Sequence, residues 1–311
     1  MKQITDTLVM IRPVNFRMNE ETAVNNYFQK TTEDLQETVN AKAQAEFDAF
    51  ADKLKAVGVN LILIDDIASQ DTPDSIFPNN WVSFHENGDV ALFPMYAKNR
   101  RVERREDIFE KIEAEGRFIR NFVDYTSAEL ENVFLEGTGS LILDRQNRKA
   151  YCALSPRADE DLLIEFCEDF EYTPVIFNAY QSHEGQRLPI YHTNVMMCIA
   201  EEFAVICLDS IDDKKELKLV ADSLTQDGKE IISISEEQMN NFAGNMLQVQ
   251  GETEKFLVMS KAAHEALTDR QIQSIEKHCK ILSSDLSTIE THGGGSARCM
   301  LAEVFLPKAT E

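Results

Sequence analysis

Residues Thr291–Met300 read THGGGSARCM and run into the apolar stretch Met300–Leu306. Three successive glycines let a backbone take left-handed or crowded conformations that a Cβ forbids. A strand entered through such a turn carries Cys299 at its mouth, beside a backbone free to approach a ligand. The neighbouring Arg298 would favour a thiolate there. A nucleophilic cysteine and a small buried thiol both fit this pattern, so the decision rests on partners elsewhere in the chain.

Those partners emerge from a repeat. DSIFPNNW at Asp74–Trp81 opens the hairpin VSFHENGDVALFP, with Asn87-Gly88 as its turn. FLEGTGS at Phe134–Ser140 opens LILDRQNRKAYCAL, and YHTN at Tyr191–Asn194 opens VMMCIAEEFAVICLD, which turns at Glu201-Glu202. Asn245 opens MLQVQGETEKFLVMS, and Cys299 opens a last strand. Helical spacing follows each hairpin, at about 101–115, 159–167, 213–224 and 269–279, with strands at 174–177 and 231–234. The opening residues Asn80, Glu136, His192, Asn245 and Cys299 are separated by 56, 56, 53 and 54 positions. A fixed period means one supersecondary unit repeated. The fifth copy is short at Cys299–Leu306, and the N-terminal strand Thr7–Ile11 would complete it. Near that strand lie a helix over Ala41–Val57, with Gly58 as its C-cap, and a buried strand at Asn60–Ile64. Equivalent strand ends around one axis would gather an acid, an imidazole, two amides and a thiol in one pocket.

Composition narrows the class. With 43% hydrophobic and 27% charged residues, the 311-residue chain reads as globular. A net charge of -23 argues against nucleic-acid and anionic-membrane partners. No apolar run reaches the about 18–20 residues of a membrane span, and MKQITDTLVMIRP lacks signal-peptide character. Six cysteines without a CxxC pair point to free thiols in a reducing, cytoplasmic setting. No HExxH or clustered His/Cys spacing suggests a metal. Neither cofactor nor metal is therefore expected.

These residues resemble the arginine deiminase/amidinotransferase (pentein) superfamily, over nearly the whole chain. GGGSARCM resembles the cysteine loop of arginine deiminases. DSIFPNNW is similar to the DxxF segment of dimethylarginine dimethylaminohydrolases, and LEGTGS to the EGGD acid motif. YHTN stands where the general-base histidine is expected. With MIRPVNF and LSPR, the set looks most like the citrulline-utilisation hydrolase branch. The resemblance implies an α/β fold, a five-bladed α/β propeller of repeated ββαβ units, as a single domain over residues 1–311.

The chemistry follows from residue types. A ureido or guanidinium carbon is a poor electrophile, and thiolate attack divides its displacement into two easier steps. Cys299 is the expected nucleophile and His192 the acid and base. Glu136 is expected to accept substrate N–H groups. The family offers aspartates where this chain has Asn80 and Asn194, and EGTGS lacks the aspartate of EGGD. Amides complement a neutral ureido group, whereas two carboxylates suit a cation. Asp74 remains as a substrate carboxylate partner, and Asn245 joins the substrate set by its register. Arg157 in LSPRAD resembles the SxRT arginine, and Arg100 and Arg101 resemble the RRxE pair. Either arginine fork suits an amino-acid carboxylate, although a solvated helix start equally fits Arg100–Arg105. Phe16 and Phe77 would wall the substrate's apolar stem. His85, His183, His264, His278 and His292 read as surface or loop residues.

The leading expectation is a cofactor-free C–N hydrolase acting on a small amino acid, with citrulline giving ornithine, ammonia and carbon dioxide. Arginine deiminase or amidinotransferase activity is the enzyme alternative, and a non-catalytic propeller that binds partners is the other class. The long polar connection Asn19–Asn40 is the expected lid. The sequence leaves a homodimer open.

Overall fold

The computed structural model describes residues 1–30 and 35–309. Its described residues form five three-stranded sheets and a separate two-stranded hairpin. Every three-stranded sheet repeats one scheme: two antiparallel strands, a helical connection, then a third strand parallel to the second. The crossover is helical because parallel neighbours need a long return connection.

The first sheet pairs Val82–Phe84 with Asp89–Leu92, and the helix Glu106–Ala114 returns the chain to Asn121–Asp124. The second uses Ile142–Asp144, Lys149–Ala153 and Thr173–Phe177, with the helix Glu160–Asp169 started by its N-cap Asp159. The third uses Met197–Ile199, Phe203–Ile206 and Glu230–Ser233, with the helix Lys214–Gln226 capped by Asp213. The fourth uses Leu247–Gln250, Lys255–Ser260 and Lys280–Ser284. The fifth joins the chain's two ends: Ala302–Glu303 pairs antiparallel with Thr7–Arg12, which runs parallel to Asn60–Asp65. The N-terminal strand thus completes the C-terminal unit, and the helix Gln36–Ala56 is its crossover.

The antiparallel strands of each sheet, such as Val82–Phe84 and Phe203–Ile206, are buried on both faces, so their apolar side chains build several clusters, whereas the outer parallel strands, such as Asn121–Asp124, are partly exposed. Among the described residues no helix is long and apolar enough to cross a membrane.

Four details depart from the sequence expectation. Each opening residue sits in a short turn before the strand rather than on the strand. Cys299 lies in the helical turn Ala297–Met300, and its strand starts only at Ala302. The expected helix over 101–115 is divided: Lys98–Glu103 forms a tight 3₁₀ turn that buries Arg100, and the α-helix begins at Glu106. The strand Lys280–Ser284 and the hairpin of Tyr180–His183 with Gln186–Pro189 have no counterpart in the sequence reading. Finally, His85 is buried against the Phe170 ring, with centroids 4.0 Å apart, and His292 is buried as well.

Candidate active site

The five turns hold one another. Thr138 Oγ1 donates to Asn79 O (3.2 Å), and Thr193 Oγ1 to Ser140 O (2.6 Å). Asn245 Nδ2 donates to Asn194 O (2.9 Å), and Arg298 N to Asn245 Oδ1 (3.0 Å). In the first three, a backbone carbonyl is satisfied by the next turn's side chain; in the fourth, a backbone N–H is satisfied by the preceding turn's amide. Gly137 permits the close approach of the first two turns. Its φ is +44°, and a Cβ there would lie 2.4 Å from Asn79 O. Gly294, at φ +62°, plays the same part in the cysteine loop, where a Cβ would meet the Asn26 amide at 2.6 Å.

Cys299 is buried, and two amides donate to its sulfur: Asn245 Nδ2 at 3.2 Å and Asn194 Nδ2 at 3.3 Å. Arg298 has other partners. Its guanidinium donates to Leu301 O (2.7 Å) and pairs with Glu303 (2.9 Å), so Glu303 offsets the charge expected to favour the thiolate. The donors at sulfur are thus the amides, not the arginine.

His192 Nε2 lies 2.7 Å from Glu136 Oε2. Glu136 is fully buried; its Oε1 accepts from Tyr96 N (2.9 Å), and Arg157 approaches Oε2 at 3.5 Å. Burial alone would raise this carboxyl, but Arg157, His192 and Arg100 outweigh it and hold it at about 2. His192 moves down to about 4, because burial and the two arginines outweigh the attraction of Glu136. At neutral pH the pair is therefore carboxylate and neutral imidazole. An ionised carboxylate only accepts, so Nε2 carries the proton and Nδ1 is left as the basic nitrogen. The sequence reading assigns Glu136 to substrate N–H groups. In the fold its oxygens instead engage His192, Tyr96 and Arg157.

Cys299, His192, Asp74, Phe77, Asn80, Arg100 and Arg157 line one cavity of ≈ 10 Å³, about the room one water needs. Asp74 Oδ2 accepts from Asn19 Nδ2 (2.8 Å) and Thr22 Oγ1 (3.2 Å), while Oδ1 is buried without a partner. Burial raises this carboxyl above its ordinary value, against the pull of Arg100. Asn194 Oδ1 is likewise buried and unpartnered. Arg100 is tied to Glu103 through two bonds of 2.9 Å and to Asn80 Oδ1 at 2.7 Å. Arg157 donates to Thr22 O (2.9 Å) and Asn25 Oδ1 (3.0 Å) and stacks over Tyr191.

Not every expected residue meets the cavity. Arg101 stays outside its lining and binds Met95 O (3.1 Å) and Glu129. Asn194 and Asn245 touch the sulfur rather than the cavity wall. Phe16 is buried in the cluster behind Phe77, next to Gly293. Sequence reasoning missed Thr22, Asn26 and Tyr191 as lining residues. The first two belong to the expected lid, of which residues 31–34 lie outside the described residues. Its Asn26 and Gln29 amides donate to Gly293 O, and Lys30 N donates to Thr291 O. The strap thus closes over the cysteine loop. Among the described residues no group of three or more His, Cys, Asp or Glu could hold a metal ion.

A family model described as N,N dimethylarginine dimethylhydrolase, eukaryotic, matches residues 12–306. The chain belongs to this family. It is the superfamily that the repeats and cysteine loop resemble. A comparison with curated proteins returns no match. Among solved structures, the fold is similar to the N-terminal domain of ArgZ bound to substrate, an arginine dihydrolase from the ornithine–ammonia cycle in Cyanobacteria. That match has a TM-score of 0.70 at 16% identity and covers 98% of each chain. AgrE in complex with ornithine and NAD+ matches with a TM-score of 0.72 at 18% identity; the overlap is 98% of this chain but only 40% of that one. A dimethylarginine dimethylaminohydrolase adduct with S-methyl-L-thiocitrulline matches with a TM-score of 0.64 at 14% identity, covering 96% of this chain and 100% of the other. At these identities the likeness describes the α/β fold.

Proposed function

We propose that this family member is a cysteine hydrolase that cleaves a C–N bond of a linear ureide or guanidine, with L-citrulline as the preferred substrate. The supporting observation is the composition of the reacting end. The Cys299 sulfur is flanked by the neutral Asn194 and Asn245 amides and shares its cavity with a neutral His192. Amides can donate to a ureido oxygen and accept from its N–H groups, and they add no negative charge to hold a cation. Asn194 Oδ1 is a buried acceptor still without a donor.

In this reading the Cys299 thiolate attacks the ureido carbon. The Cys299 thiol proton passes to His192 as the sulfur attacks, and His192 hands it to the departing nitrogen, which leaves as ammonia. His192 then takes a proton from the incoming water, whose oxygen cleaves the C–S bond, and the proton returns to the sulfur as the carbamate product loses carbon dioxide to give ornithine. Glu136 acts through His192 by fixing its tautomer. Asp74 Oδ1 takes an N–H group of the substrate. Arg157 takes the substrate carboxylate once Thr22 O and Asn25 Oδ1 leave it. A cavity with room for one water admits an amino acid only after the 19–30 strap moves, as the expected lid would. The five sheets, with their linked turns, suit the five-bladed propeller arrangement as one domain.

A second reading, guanidine hydrolysis, is favoured by the family itself and by the unpartnered Asp74 oxygen, a carboxyl acceptor in the cavity. Ammonia and ornithine release from L-citrulline and L-arginine, measured side by side with a Cys299→Ala control, separates the two. Citrulline formed from arginine would replace the first reading by the second.

A further inference from the structure

The helix Ser287–Gly293 ends at the glycine loop and carries Glu290, a buried acid outside the reacting cavity. Its Oε1 accepts from Ser296 Oγ at 2.6 Å. Ser296 is itself fully buried, and its carbonyl accepts from Cys299 N at 3.0 Å, the first bond of the cysteine turn. One carboxylate thus grips the residue from which the nucleophile's turn departs. The length lies within the range of a charge-assisted O–H···O⁻ bond. We infer that Glu290 is a positioning residue for Cys299, acting through Ser296, and that protonation of Glu290 loosens the cysteine turn.

The surroundings make that protonation accessible. Burial, reinforced by Glu46 and Asp285, pushes the Glu290 carboxyl up to about 7, against its bonds to Ser260 and Ser296. Glu46, on the helix Gln36–Ala56, accepts from Thr288 N (2.9 Å) and Ile289 N (3.0 Å) at the start of the same helix. His292 on the same helix is the next titratable side chain. Lys30 of the strap and His183 of the 180–189 hairpin line, together with Glu290, an outer cavity of ≈ 440 Å³. That cavity gives protons a route to the carboxyl. Glu136 and His192, at about 2 and about 4, do not titrate in the unliganded site near neutrality.

This inference rests on the hydrolase reading, and its test is built to fail separately. For whichever of L-citrulline and L-arginine is turned over, kcat/KM is measured between about pH 5.5 and 8.5 for wild type, Glu290→Gln and Ser296→Ala. Wild type should gain about five- to tenfold as pH rises through about 7, the difference between a neutral and a charge-assisted grip on Ser296. Glu290→Gln should rise less steeply than wild type over that range by that five- to tenfold increment, and Ser296→Ala should lose the same increment. An unchanged limb in Glu290→Gln overturns the proposal.

If neither substrate reacts, the hydrolase reading fails and the proposal is read from iodoacetamide alkylation, with Cys299→Ala as background for the other thiols. The rise in rate from about pH 6 to 8 should be steeper in wild type than in Glu290→Gln, and equal rises overturn it. Thermal unfolding excludes a merely structural role. Above about pH 7 wild type carries a buried charge that Glu290→Gln lacks, so the variant's Tm should equal or exceed that of wild type. A lower Tm at every pH contradicts the assignment.

Discussion

The Glu136 carboxylate and the His192 ring meet at 2.7 Å through Nε2, and both side chains are buried. The relationship sets which imidazole nitrogen is basic. Glu136→Gln replaces an obligatory acceptor with an amide that can turn its NH₂ toward Nε2 and select the other tautomer. By analogy with other orienting carboxylates, kcat should fall about 10³- to 10⁴-fold, with a much smaller change in KM. Steady-state kinetics on the turned-over substrate measure it, and a loss confined to KM would contradict the orienting role.

The same pair makes stability depend on pH. His192 sits at about 4 in the fold, below its ordinary 6.5, so the unfolded chain binds its proton first. Its contribution is complete above about pH 6.5 and is lost as pH falls toward 4. Glu136, at about 2 against an ordinary 4.5, adds stability above about 4.5 that is lost toward pH 2. Glu290 runs in the opposite direction, so the effect is read as a difference. The Tm gap between wild type and His192→Asn should narrow as pH drops from about 6.5 to 4. A gap that stays constant would mean that His192 titrates alike in both states.

How much of this was legible in the sequence depends on what fixes each residue. Asn80, Glu136, His192, Asn245 and Cys299 were legible because each occupies the same turn of a repeated unit, so register alone places it. Closure of the fifth sheet through Thr7–Arg12 was legible for the same reason. Arg100 and Arg101 were indistinguishable, since a helix start and a 3₁₀ turn share composition; only the fold buries one and leaves the other against Glu129. The strap residues Thr22 and Asn26 carry no periodicity, and their place comes from long-range bonds to Asp74, Gly293 and Gly294. The strand Lys280–Ser284 reads KILSS, too short and polar to declare itself, and takes its conformation from Lys255–Ser260 beside it.

The amides at the sulfur should matter for the chemical step. Removing one donor by Asn194→Ala or Asn245→Ala costs a bond of about 1 kcal/mol or more to the developing thiolate. A fall of about tenfold in kcat/KM is expected for each, together with slower alkylation of Cys299. Unchanged alkylation in both variants would show that these contacts do not tune the nucleophile.

Gly139 is a sensitive position that bears no functional group. A Cβ there would lie 2.4 Å from Asn80 Nδ2 and 2.8 Å from His192 Nδ1. Gly139→Ala must displace both, so kcat should drop by about 10² or more while Tm changes by only a few degrees. Gly137→Ala meets backbone instead, with Asn79 O at 2.4 Å and a positive φ, and should cost about 2 kcal/mol or more in folding stability. Paired thermal melts and kinetics distinguish the two.

The central claim is that Cys299 forms a covalent intermediate with a ureide or guanidine carbon. The most direct measurement is acid quench of the protein during turnover of L-citrulline or L-arginine, followed by peptide mass spectrometry. A substrate-derived carbonyl or amidino adduct on the Cys299 peptide, absent from Cys299→Ala, is the predicted result. Turnover without any adduct, or turnover that survives Cys299→Ala, would contradict the account.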